Sequence, residues 1–155
     1  MVSKKIRITG AQLSFPVGAI QQNKQTILDA IEIGEQNQSD IVVFPELALT
    51  GYPPEDLLLR ESFVGKNFAV LEEISEFTSS TSAIIGFVDR TMNKHKIDMT
   101  SRSIANAAAI VQNGDVKGIY HKSFLPNYSV FDEARYFSAG DDAGKLFWYE
   151  GVGIG

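Results

Sequence analysis

Apolar positions along this chain fall into short unbroken runs, alternating stretches and stripes at helical spacing, and each kind predicts a different element. Residues 41–44, Ile-Val-Val-Phe, form an unbroken apolar run of mostly β-branched or aromatic residues. Such a run suits a strand covered on both faces. Residues 83–88, Ala-Ile-Ile-Gly-Phe-Val, repeat the pattern. Between residues 5 and 13 the alternation at Ile6 and Ile8 predicts a first strand. Asn23 suits the N-cap of a helix of about 14 residues with Ile27, Leu28 and Ile31 on its apolar face, ended by the polar residues 36–40. The strand-helix-strand order predicts a right-handed crossover between parallel neighbours. A short helix is expected at 55–60, after prolines suited to a first turn. Ser62 opens a longer helix whose stripe of Val64, Phe68, Leu71, Ile74 and Phe77 reads as core.

Towards the carboxyl terminus the segments 103–112 and 115–121 flank Asn113-Gly114, a strong hairpin signal because both turn positions need positive φ. Asn106 interrupts the apolar series of the first segment. A buried asparagine needs partners, so it is expected to be structural, beside a site. Residues 145–150 predict one more strand entering Gly151-Val152-Gly153-Ile154-Gly155. No helix signal follows these glycines, which makes them a weak dinucleotide loop. Polar and basic residues around Asn93-Lys94-His95-Lys96 read as an exposed loop or hairpin tip. His95 has only His121 as a fellow histidine and reads as solvated, so no metal site is expected.

Composition bounds the function. A chain of 155 residues, 44% hydrophobic and 21% charged, suits one folded domain over 1–155 with no internal boundary. Fourteen basic against 19 acidic residues give a net charge of -5 and no basic stripe, which excludes nucleic acid as the expected partner. No long apolar stretch predicts a signal peptide or membrane span, and a cytoplasmic location is the expectation. Cysteine is absent from these residues, so they supply no disulfide, cysteine-ligated metal or cysteine nucleophile.

The chemistry centres on two residues that follow strands. Pro45 has no N–H and should stop the ladder after residue 44, leaving Glu46 at the carboxyl end of a central strand among apolar neighbours. Thr50-Gly51-Tyr52-Pro53-Pro54 continues neither helix nor sheet and must be an ordered turn. Lys122 sits just past the strand 116–121, so both side chains can project from one sheet edge, at the ends of adjacent strands. A carboxylate poised by desolvation and a nearby lysine can act as a base, and an ammonium can stabilise an oxyanion. From the residues alone, a purely structural Glu46–Lys122 salt bridge explains the pair equally well.

The motif Phe44-Pro45-Glu46-Leu47, continued by Thr50-Gly51-Tyr52-Pro53-Pro54-Glu55-Asp56-Leu57, resembles the first motif of the nitrilase (carbon-nitrogen hydrolase) superfamily. Its form is that of the glutaminase domains of glutamine-dependent NAD synthetases. Tyr120-His121-Lys122-Ser123-Phe124-Leu125-Pro126-Asn127-Tyr128, followed by Val130-Phe131-Asp132-Glu133, is similar to the segment carrying that superfamily's catalytic lysine. The resemblance implies an α/β fold, the α-β-β-α sandwich with sheets inside and helices outside, represented by its first part. It implies Glu46 as general base, Lys122 as catalytic lysine, Tyr128 as a substrate-binding residue, and Glu133 as a second glutamate that holds the lysine. From the residues alone, Tyr128 is equally a packed loop aromatic, and Glu133 could be an exposed partner of Arg135.

Glutamine is the implied substrate and a homo-oligomer the implied assembly. No cofactor is expected in these residues, since ATP and magnesium belong to a downstream synthetase domain that the resemblance implies and this sequence does not contain. The family's nucleophilic cysteine follows a strand after the lysine block, whereas here the sequence stops at Gly155. The expectation is therefore a chain cut before its nucleophile, inactive alone, and aggregated or paired through an open sheet. A stand-alone amidase of the superfamily and a non-enzymatic partner fragment are the alternatives.

Overall fold

The computed structural model describes residues 5–91, 103–141 and 146–155. The loop expected around His95 lies outside these residues, as does Lys145. Five strands form one mixed sheet in the order β1 (Ile8–Gly10), β2 (Ile41–Val43), β3 (Ser82–Thr91), β4 (Ser103–Gln112), β5 (Asp115–His121). β1, β2 and β3 are parallel, and β3, β4 and β5 antiparallel in succession. It follows that β2, β3 and β5 all run in one direction and end at the same rim of the sheet. Asn113 and Gly114, at φ 50° and 80°, make the expected turn between β4 and β5.

Two 17-residue helices, α1 (Ile20–Gln36) and α2 (Glu61–Phe77), pack on one face. Alternate residues Ala83, Ile85 and Phe87 of β3 and Ala107, Ala109 and Val111 of β4 meet Ile27, Ile31, Val70, Leu71 and Ile74 from the helices. The period of two on the strands thus matches a helical stripe. Phe77, expected in that stripe, is half exposed at the helix end. A 3-10 turn over Glu55–Leu59 leads into α2.

Two expectations are corrected. Asn23 is not the N-cap: α1 begins at Ile20, the Asn23 N–H already bonds to Ala19 O at 2.9 Å, and its side chain is buried. Its amide instead donates to Pro16 O at 3.0 Å and Leu49 O at 3.2 Å, tying two loops together. Nor is the tail one continuous strand. β6 (Phe147–Tyr149) and β7 (Val152–Ile154) pair antiparallel in their own two-stranded sheet. The reversal is made by Glu150 and Gly151, both at positive φ (45° and 84°).

The β2-side edge of β3 has a succession of partners. β2 pairs with residues 82–84, then Phe44 N and Leu49 N donate to Ile84 O (2.9 Å) and Gly86 O (3.1 Å). Beyond them the buried Asn67 of α2 bonds both ways with the Val88 backbone, at 2.6 and 3.3 Å. A long strand beside a three-residue neighbour thus keeps its backbone groups satisfied.

Candidate functional site

Glu46 is presented by a turn that starts where β2 stops. Ala48 N bonds to Pro45 O at 3.2 Å and Gly51 N to Leu47 O at 2.8 Å. Leu47 adopts φ 49°, an unfavourable region for a branched side chain. Its complete burial with Leu58, Val88 and Phe137 holds the turn in that conformation. The turn crosses over β3 at Gly86, where a Cβ would sit 2.4 Å from both Leu47 N and Pro45 O. Only glycine permits that approach.

Lys122 lies directly beyond β5. Its N–H donates to Asn106 O at 2.8 Å, and its carbonyl accepts from Gly140 N at 2.9 Å. Contrary to expectation, β2 and β5 are not adjacent, since β3 and β4 lie between them. Three strand spacings amount to roughly 14 Å. The crossing turn and two long side chains close that gap: Lys122 Nζ donates to Glu46 Oε1 at 2.6 Å.

Glu133 completes the bridge from the other side. It opens the four-residue helix α3 (Glu133–Tyr136), is 5% exposed, and accepts from Lys122 Nζ at 3.1 and 3.0 Å on its two oxygens. The alternative of an exposed partner for Arg135 is not what forms; Arg135 approaches Asp132 and Asp56 instead. Glu46 is also not enclosed by apolar neighbours, its side chain being 42% exposed. Tyr128 is exposed and edge-on to Phe131, with ring centroids 5.6 Å apart.

Two further side chains join the cluster. Asn106, on β4, donates through Nδ2 to Glu46 Oε1 at 2.5 Å. The sequence marked it as a buried polar interruption of an apolar strand but not as a ligand of Glu46. Tyr52 donates its hydroxyl to Glu133 Oε1 at 3.0 Å. Its only sequence signal was an aromatic hydroxyl within the proline-rich turn.

Burial opposes the Lys122 charge, but hydrogen bonds to Glu46 and Glu133 and the field of both carboxylates outweigh it, so its pKa is raised. The Tyr52 phenol is pushed up to about 12, by burial first and then by its bond to Glu133 and the two negative charges, against a smaller pull from Lys122. A cavity of about 240 Å³ opens beside Glu46, Asn106 and Lys122, over Gly86 and Ala108. A second, of about 450 Å³, lies beyond Glu133 and is lined by Tyr52, Leu58, Phe131 and Tyr136 among others. An exposed carboxylate next to a firmly protonated amine, at the mouth of a cavity, can take a proton while the amine stabilises developing negative charge. Among the described residues, no group of three or more His, Cys, Asp or Glu is placed to hold a metal ion. No helix among them is long and apolar enough to cross a membrane.

The carbon-nitrogen hydrolase family matches residues 7–153. The chain is 40% identical over 141 residues to a glutamine-dependent NAD(+) synthetase of Thermotoga maritima, covering 90% of this chain and 23% of that protein. With the corresponding synthetase of Xylella fastidiosa (strain Temecula1) it shares 38% identity over 156 residues, covering 99% and 27%. A solved glutamine-dependent NAD+ synthetase from Acinetobacter baumannii matches with a TM-score of 0.80 at 34% identity, over 96% of this chain and 26% of that one. An amidase from Nesterenkonia sp. shares the fold, with a TM-score of 0.73 at 20% identity over 96% and 53%. The chain thus spans about a quarter of the length of the synthetases it matches. The mixed α/β fold is the nitrilase type expected, and the match over 7–153 shows that the chain belongs to the carbon-nitrogen hydrolase family.

Proposed function

We propose that these residues form the glutaminase part of a glutamine-dependent NAD synthetase, releasing ammonia from the side-chain amide of glutamine. The observation that carries this reading is Lys122 Nζ held between Glu46 (2.6 Å) and Glu133 (3.0 Å) in a chain of this family. Glu46 takes the proton of the attacking nucleophile, and Lys122 stabilises the oxyanion of the tetrahedral intermediate. Glu133 keeps the amine charged and in place, and Tyr128 contacts the substrate. The nucleophile is a cysteine; none occurs in these 155 residues, so it comes from outside them.

ATP and magnesium serve a synthetase part that uses the ammonia, likewise outside these residues. The complete gene product with Glu46→Gln or Lys122→Ala loses glutamine-dependent NAD synthesis and keeps synthesis from free ammonia. Equal loss of both activities would assign these residues to the fold instead. By the same reasoning, a polypeptide of residues 1–155 alone releases no ammonia from glutamine.

A further inference from the structure

Both hydrogen bonds that reach the Glu46 carboxylate end on the same atom. Asn106 Nδ2 and Lys122 Nζ donate to Oε1, at 2.5 and 2.6 Å, while Glu46 Oε2 has no donor among the described residues. A lysine alone fixes a carboxylate poorly, because its ammonium is a point charge on a flexible stem, and here Glu133 shares it. Asn106 is the rigid partner. It is 3% exposed, lies within a ten-residue strand and pairs with Val88 of β3. Its own carbonyl also accepts the N–H of Lys122 at 2.8 Å. One residue therefore anchors the side chain of Glu46 and the backbone of Lys122, which lie 76 positions apart in sequence.

We propose that Asn106 is a positioning residue for hydrolysis, committing Oε1 of Glu46 to fixed donors and leaving Oε2 as the oxygen that receives the proton. This rests on the reading of Glu46 as the base. When the nucleophile loses its proton, the new O–H bond forms on Oε2 and the carboxylate charge is neutralised, while the donors on Oε1 keep the group aimed. A donor to the ionised carboxylate also favours that form.

The test is ammonia release from glutamine by the complete gene product, followed across pH for Asn106→Ala and Asn106→Asp. The alanine variant is expected to lower kcat about tenfold or more, the scale of one lost hydrogen bond to a charged group. KM should stay within about threefold, because uniform substrate binding is untouched. The acidic limb of kcat should move to higher pH. Asn106→Asp keeps the volume, so it decides the matter if the alanine variant fails to fold. By setting a second carboxylate against Glu46, it should move the limb further the same way. Either variant with kcat within about twofold of the parent, or with kcat lost and the limb unmoved, overturns the proposal. Glu46→Gln separates the two readings: if it is inactive while the Asn106 variants behave as the parent, only the positioning role fails; if it is active, the base itself is misassigned.

Discussion

Tyr52 couples the carboxylate pair to alkaline pH. Its phenol titrates at about 12 in the folded protein against 10.0 for an unperturbed tyrosine, because burial and Glu133 disfavour the anion. A raised pKa means that the native state keeps a proton the unfolded chain has lost, so stability falls with rising pH between those values. The contribution is complete below pH 10.0 and is lost as pH rises through about 12. Lys122, whose pKa is also raised, acts in the same direction. Tyr52→Phe should therefore lose less stability than the parent protein between about pH 10 and about pH 12, as read from urea midpoints. Parallel declines of the two proteins would show that the folded state does not hold the phenol neutral.

Among the elements, the turn over β3 has the least room for change. Gly86→Ala would drive a methyl group into the backbone of Leu47 and Pro45 rather than into a yielding side chain. It should cost about 1–3 kcal/mol of stability in denaturant unfolding, the usual scale of overpacking, and displace Glu46 enough to cut ammonia release. Unchanged stability and turnover would mean that the turn moves aside freely. Little in the sequence foretold this crossing. The run 41–44 and Pro45 locate a strand and its end, because apolar burial and a missing N–H are local properties. The Asn113-Gly114 turn is legible for the same reason. That β3 and β4 intervene between Glu46 and Lys122 depends on strand order, which local patterning does not encode. Asn23 misled because an asparagine before an apolar stripe suits a cap and a buried loop clamp equally well. Tyr52 was hidden since its partner Glu133 stands 81 positions away.

At the scale of the whole molecule, the same-direction ends of β2, β3 and β5 gather the cluster at one rim, and its bonds span long stretches of chain. Lys122–Glu46 joins residues 76 apart and Tyr52–Glu133 residues 81 apart, whereas the β4–β5 hairpin closes on itself. Long loops are closed at an entropic cost before their contacts can repay it, so local pairings form first. The cluster is therefore a late event in folding: β4–β5 amides should gain protection from hydrogen exchange during refolding before the Ser138 amide, whose bond to Ile104 O depends on docking of the 133–138 segment. Simultaneous protection would indicate one concerted step. A rim assembled last is also the first to come apart, so brief openings of the native protein should unmake the cluster long before they expose the core beneath α1 and α2.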